Sequence, residues 1–133
     1  MKLNILMIIT AALMLFYGMG FVLAPAPLLS LMGLTADRPL MFVTQAFGAA
    51  LVGYAVVNWF ARNDADTESK RAIVLANAIF NAIAVALNLL GTLGGVLNAL
   101  GWSNVAIHLL LALGFAYFRF IKRRASPPAT VAQ

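Results

Sequence analysis

Residues 72–95 read AIVLANAIFNAIAVALNLLGTLGG, and this stretch decides the fold. It is long enough to cross a lipid bilayer, because about 20 helical residues span the hydrocarbon core. It also carries Asn77, Asn81 and Asn88, which fall within about 40° of one another on a single helical face. An apolar helix with one polar face predicts a membrane span that packs against other helices on that face.

The polar stripe of this segment consists of Asn77, Asn81, Asn88, Gly91 and Gly95. An amide that faced lipid would leave polar groups unpaired in a medium without water, which is costly. We therefore expect the stripe to face protein or a small wet cavity within protein, with Asn77 and Asn81 hydrogen-bonded to neighbouring helices. Gly91 and Gly95 form a GxxxG pair, which is typical of close packing between membrane helices.

The composition indicates a membrane protein of one domain. The 133 residues are 63% hydrophobic and only 10% charged, with a mean hydropathy of +0.94, and a soluble domain of this size cannot bury so much apolar side chain. The net charge is +5, but the basic residues lie beside apolar runs. They do not form a pattern typical of binding in a nucleic-acid groove, so we expect no nucleic-acid partner. The absence of cysteine excludes disulfides and thiolate metal sites.

The sequence predicts an all-α fold, an integral membrane four-helix bundle with short loops. The predicted spans cover about residues 3–23, 40–61, 72–94 and 105–121, and residues 125–133 are predicted to form a disordered cytoplasmic tail. A cleaved signal peptide is the alternative for the first span, but its apolar region exceeds the roughly 7–15 residues of such peptides. We expect a retained helix that ends at Pro25 and Pro27, followed by a short helical turn at the membrane surface.

The second predicted span carries signals for its start, its contacts and its end. Asp37 is a suitable N-cap for it. Small residues mark close helix contacts in lipid, and the span contains Ala46, Gly48, Ala49, Ala50 and Gly53. Asn58 and Trp59 lie near its far end, where we expect them to anchor the span at the membrane surface.

The basic residues predict an orientation. With four spans, both termini and the loop between the second and third spans share one side of the membrane. That side holds eight of the nine basic residues, namely Lys2, Arg62, Lys70, Arg71, Arg119, Lys122, Arg123 and Arg124. Because cytoplasmic loops carry an excess of Lys and Arg, we expect both termini to be cytoplasmic.

Polar residues at one level of the bundle predict a ligand-binding site. In this topology Arg38, Gln45, Asn88, Asn104 and His108 all belong to the half of the bundle away from the termini. Polar residues within spans are costly and are often functional. His108 can exchange a proton near neutral pH, and Arg38 can meet an anionic headgroup or a carbonyl. The alternative is a purely structural role, in which these side chains only hydrogen-bond neighbouring helices or the membrane surface.

The residue types that are absent from the predicted spans argue against several classes of membrane protein. All four carboxylates lie in predicted loops, which argues against a proton-coupled exporter of the small multidrug-resistance type. The single histidine excludes bis-histidine haem ligation within one chain. We find no motif for a catalytic residue or a metal site, so a non-enzymatic protein is favoured.

The layout resembles the DoxX-like group of small four-helix bacterial inner-membrane proteins. The resemblance depends on the first span ending in FVLAP at residues 21–25, the LLSLMGL segment at residues 28–34 and the Gly/Ala-rich second span that begins near Arg38. It extends through the charged loop to the third span and covers most of residues 1–121. The resemblance implies a compact bundle in the bacterial inner membrane and, for some relatives, an association with quinone-linked oxidoreductase complexes.

Three functions follow from these observations. The first is a non-enzymatic accessory or structural subunit that binds a membrane-protein partner or a second copy of itself through small-residue faces, with no cofactor. The second is a subunit of a redox complex that binds a quinone or lipid at the polar site. The third is a small transporter or channel with the asparagines along its path.

Overall fold

The computed structural model describes residues 2–121, and this part of the chain is helical, without a β-strand. The helices are α1 (Leu3–Leu23), α2 (Pro25–Leu31), α3 (Arg38–Ala61), α4 (Glu68–Leu93) and α5 (Gly101–Ala116), which continues as a π-helical turn over Tyr117–Ile121. α1, α3, α4 and the extended α5 are each long and apolar enough to cross a membrane. This confirms an all-α fold with four such helices. The predicted tail at residues 125–133 lies outside the described residues.

Side-chain caps set where two of the long helices, α3 and α4, begin. The Asp37 carboxylate accepts a hydrogen bond from the Leu40 amide at 2.8 Å, which confirms the predicted N-cap. The Thr67 hydroxyl accepts from the Lys70 amide at 3.2 Å, so α4 begins at Glu68, before its apolar run. The helices are therefore longer than the apolar segments, because a cap supplies acceptors to a polar first turn that hydropathy does not register.

The four long helices form two antiparallel pairs. α1 packs along α3, and α4 packs along α5, with far fewer contacts between the two pairs. The first pair approaches most closely at Gly18 and Gly48, where a Cβ added to Gly48 would lie 2.8 Å from the carbonyl oxygen of Gly18. Only glycine at these two positions allows this separation of the backbones.

One half of the bundle has a tightly packed core. This closed half contains the α3–α4 loop and the start of α1, and both pairs contribute to its core of Leu6, Met7, Ala61, Val74, Ala78, Leu111 and Phe115. Met7 and Phe115 are fully buried there. The closed half therefore holds the two helix pairs together.

The other half, which we term the open half, contains α2 and the turn at residues 94–100. Here the buried apolar residues, such as Met14 and Leu51, join α1 to α3 rather than one pair to the other. α2 and the turn are linked by Asn98, whose side chain donates to the Leu31 carbonyl at 2.8 Å and whose amide donates to the Met32 carbonyl at 3.0 Å. This link spans the end of the open half.

Candidate functional site

A cavity of about 350 Å³ lies between the two helix pairs in the open half. Its lining is mainly apolar and aromatic and includes residues of α1, α3, α4, α5 and the α4–α5 turn, together with Met32, which follows α2. The polar residues among them are Thr10, Tyr17, Asn81, Asn88, Asn104 and His108. An apolar cavity of this size with a few polar groups is typical of small-molecule sites in proteins.

Asn81 and His108 form the most closely fixed polar contact in the cavity wall. Oδ1 of Asn81 on α4 lies 2.8 Å from Nδ1 of His108 on α5. The amide nitrogen of Asn81 donates to the Asn77 carbonyl at 2.8 Å, and the Asn81 side chain is fully buried. Phe80 packs edge-on against the imidazole, with ring centroids 6.0 Å apart. These contacts hold the His108 ring in one orientation.

The amide contacts continue into the closed half. Asn77 Nδ2 donates to Asn58 Oδ1 at 2.9 Å, and Asn58 Nδ2 donates to the Tyr54 carbonyl at 3.0 Å. Asn58 and Asn77 are both fully buried, although Asn77 Oδ1 has no partner among the described residues. Side chains Asn58, Asn77, Asn81 and His108, which we term the amide network, thus connect α3 to α4 and α4 to α5.

The structure places Asn58 differently from the sequence prediction. We expected Asn58 to be an anchor at the membrane surface, but its side chain is buried among the helices, where it contacts Asn77 on α4 and the Met14 sulfur on α1. Trp59 is 47% exposed, and the Arg62 guanidinium stacks on its ring. Adjacent residues on a helix point about 100° apart, so one can be buried while the next is exposed.

Three of the five residues predicted to bind a ligand line the cavity, namely Asn88, Asn104 and His108. The other two do not. Arg38 is an exposed residue at the start of α3, and Gln45 is exposed and donates from Nε2 to the Val22 carbonyl of α1 at 3.0 Å. Gln45 therefore satisfies a backbone group at the end of α1 instead of facing the cavity.

The glycines of the polar stripe do not form a contact between helices. Gly91 faces the side chain of Leu97 in the turn that follows α4. Gly95 lies beyond the end of α4 at Leu93, with a φ of 73°, and a Cβ added there would meet nothing within 4 Å. Gly95 thus permits a turn that favours positive φ and does not lie on the helix.

Thr10 is a cavity residue that the sequence analysis missed. Its side chain is fully buried in the middle of α1, and its hydroxyl has no hydrogen-bond partner within residues 2–121. Such a group usually finds a partner when it is buried. Thr10 and Tyr17 both line the cavity, and their spacing of seven places them on one face of α1, which is the signal that would have identified them.

The part of the chain described by the structure holds no cluster of three His, Cys, Asp or Glu side chains that would ligate a metal ion. The polar atoms of the cavity are amides, hydroxyls and one imidazole. Such groups donate and accept hydrogen bonds to an uncharged molecule. The arrangement is therefore suited to orienting an apolar ligand that carries a small polar group.

Comparisons with known proteins place the chain in a family without giving it a function. No curated protein and no solved structure significantly matches the sequence. A family described as a domain of unknown function, DUF8292, matches residues 1–121. The match includes every helix of the bundle and every residue of the cavity wall. The chain therefore belongs to the DUF8292 family.

Proposed function

We propose that this chain is an integral membrane protein that binds a lipophilic small molecule in the cavity of the open half. The observation that carries this proposal is the cavity itself, about 350 Å³ of largely apolar space between the helix pairs. A bundle that served only as a packed scaffold would gain stability by filling that space, because unfilled volume forfeits dispersion contacts. A ligand restores those contacts.

The distribution of charge supports an orientation for this protein. Lys2, Arg62, Lys70 and Arg71 belong to the closed half or its loop, whereas Arg38 is at the opposite end. The positive-inside rule then assigns the closed half to the cytoplasmic side and the cavity to the outer half of the membrane. In this orientation the apolar body of a ligand enters from the outer leaflet.

The cavity wall indicates how such a ligand would be held. Leu51, Phe80 and Leu87 offer apolar contact area, while His108 and Asn104 offer polar contacts on α5. A molecule with an extended apolar body and one polar group matches this division. The quinone or lipid predicted from the sequence meets that description, and both remain proposals, as does the resemblance to DoxX-like proteins.

Filling the cavity tests the proposal. Ala84 lines the cavity, and Ala86 is exposed on the same helix, so Ala84→Phe and Ala86→Phe form a matched pair. The probe is 2-naphthol, titrated into detergent-solubilised protein with ¹³C-labelled methionine methyls. Met14 and Met32 line the cavity, and the exposed Met19 reports general partition into detergent.

We expect saturable shifts at the Met14 and Met32 methyls in the parent protein and in Ala86→Phe, and none in Ala84→Phe. Ring currents of a bound naphthalene act only over short distances, so the affected methyls locate it. Shifts of equal size at Met19, or unchanged binding by Ala84→Phe, would contradict binding in the cavity.

A second candidate function, a non-enzymatic subunit that binds a membrane partner or a second copy, is favoured by one observation. The residues Ala46, Ala49, Ala50 and Gly53 are exposed on a single face of α3, and a Cβ added to Gly53 would meet nothing within 4 Å. Helices in lipid associate through such faces. Gly48, by contrast, is already used against α1.

Blue-native electrophoresis in mild detergent tests this second function. We expect the parent protein to migrate as an assembly that Ala50→Phe disrupts and that Ala86→Phe on α4 leaves intact. A monomer in every variant would contradict it. The third predicted function, a transporter or channel, needs a path along the asparagines of α4. Asn81 and Asn88 line the cavity, but Asn77 is packed against Asn58 with no exposed surface.

A further inference from the structure

We infer that the ligand donates a hydrogen bond to Nε2 of His108, which makes it a lipophilic hydroxyl compound such as a phenol or an alcohol. This inference depends on the proposed function, and it specifies the polarity of the ligand's headgroup. It begins from the way Asn81 contacts two different elements. It also uses a hydroxyl on α1 that the protein leaves without a partner.

The orientation of the Asn81 amide is fixed by the α4 backbone. Its Nδ2 donates to the Asn77 carbonyl at 2.8 Å, so its Oδ1 is the atom that faces His108. That oxygen lies 2.8 Å from His108 Nδ1 and can only accept a hydrogen bond. In the neutral imidazole, the ring proton must therefore be on Nδ1.

This tautomer leaves Nε2 of His108 with a lone pair and no proton. No hydrogen bond joins Nε2 to any side chain or backbone group in the described chain. His108 lines the cavity, and its ring neighbour there is the apolar Phe80. The free site on the imidazole is thus an acceptor, which a hydroxyl can satisfy and which a ketone, ester or ether oxygen cannot.

Thr10 supplies a second unpartnered polar group in the cavity wall, and a hydroxyl ligand is compatible with it. Its hydroxyl is fully buried in the wall contributed by α1 and lacks a partner among residues 2–121. A ligand hydroxyl that donates its proton to His108 can still accept from Thr10, because its oxygen carries two lone pairs. The rest of the cavity wall is largely apolar, with Leu13 and Leu111 among its residues, and accommodates the hydrocarbon body of the molecule.

The single histidine makes the tautomer directly measurable. In protein with ¹⁵N-labelled imidazole and no added probe, we expect the Nδ1 resonance of a protonated nitrogen and the Nε2 resonance of an unprotonated one. Asn81→Leu removes the acceptor at Nδ1, so we expect it to give a mixture of tautomers. Protonated Nε2 in the parent protein, with or without protonated Nδ1, overturns the inference.

Two probes with the same ring system then measure the effect of the hydroxyl. 2-Naphthol carries a donor, and 2-methoxynaphthalene lacks one. We expect 2-naphthol to bind about fivefold to tenfold more tightly, which is the usual contribution of one buried hydrogen bond, and to shift the Nε2 resonance. In His108→Phe we expect both probes to bind with equal affinity, because the cavity remains but the acceptor is gone.

The outcomes separate the two proposals. Equal affinities of the parent protein for the two probes, with saturable shifts at the Met14 and Met32 methyls, would overturn the inference and leave the proposed function standing. Absence of those shifts with both probes would overturn both. Retained discrimination in His108→Phe would also overturn the inference, since the hydroxyl would then bind elsewhere.

Discussion

The two halves of this bundle differ in how far their polar side chains hydrogen-bond between helices. In the closed half, Asn58 and Asn77 hydrogen-bond across two helices and are enclosed by apolar packing. In the open half, Asn88 donates only to the Ala84 carbonyl of its own helix, and the Thr10 hydroxyl has no partner. Asn77 Oδ1 in the closed half and the Thr10 hydroxyl both lack a partner among the described residues, but only Thr10 lies beside the cavity. An unpaired hydrogen-bonding group beside a cavity is typical of a binding site.

The largest expected effect tests whether the cavity reflects generally loose packing of the open half. Gly48→Val places side-chain atoms within the space occupied by the Gly18 carbonyl and the Phe21 side chain, both 2.8 Å from the added Cβ. We expect a loss of about 3 kcal/mol in the free energy of unfolding, measured by denaturant titration in mild detergent. Gly53→Val, which meets no neighbour within 4 Å, is the control. Equal losses would show that the α1–α3 contact is not tight and would weaken the contrast between the halves.

The next effect compares the two halves along one helix. Asn77→Leu removes an interhelical hydrogen bond in the closed half and leaves the buried Asn58 Oδ1 without a partner, so we expect a loss of about 1.5 kcal/mol. Asn88→Leu removes a bond within α4 alone, so we expect a loss below about 0.5 kcal/mol. The same unfolding titration measures both. An effect of Asn88→Leu as large as that of Asn77→Leu would remove the energetic distinction between the halves.

A third variant should stabilise the protein. Thr10→Val replaces an unpartnered buried hydroxyl by a methyl group of similar shape, and we expect the ligand-free protein to gain about 1 kcal/mol. Thr92→Val is the control. The Thr92 hydroxyl donates to the Asn88 carbonyl at 2.7 Å, so we expect its replacement to give no increase in the free energy of unfolding. A Thr10→Val variant less stable than the parent protein would mean that this hydroxyl serves the fold.

The smallest expected effect concerns the end of the open half. Asn98→Ala removes the side-chain hydrogen bond to the Leu31 carbonyl, and we expect a loss of about 0.5 kcal/mol with faster hydrogen exchange in α2. Asn63→Ala, in the exposed α3–α4 loop, is the control. Faster exchange confined to the closed half would contradict the role of Asn98 in holding α2 against the turn.

The sequence was sufficient to predict the helices, but it was insufficient to predict how each helix is rotated about its own axis. Apolar runs and proline positions predicted four long helices, and the side chain of Asp37 confirmed a helix start. The position of Gln45 along its helix placed it at the level of the site. On that helix, however, Gln45 is rotated by about 160° from Phe47 and about 120° from Leu51, which line the cavity. A hydropathy pattern gives the level of a residue and does not give the direction in which its helix faces.

The same limit explains why Thr10 and Asn58 were missed or misplaced. Whether a polar side chain in a span is buried depends on which helices are neighbours, and the pairing of α1 with α3 and of α4 with α5 is not encoded in any local pattern. The burial of Asn81 was easier to predict, because three asparagines on one helical face indicate an interior surface whichever helix covers it. The partner that Asn81 found, His108, was predicted separately as a site residue.

The hydrogen bond from Gln45 to the Val22 carbonyl has a consequence for how the chain is made. α1 ends at Leu23, so the carbonyls of its last turn have no partner within the helix. One of those carbonyls is satisfied only when a side chain 23 residues later has been synthesised and placed beside it. If the chain enters the membrane as it leaves the ribosome, the first hairpin, rather than the first helix, is the smallest unit that can be released into lipid without this exposed acceptor.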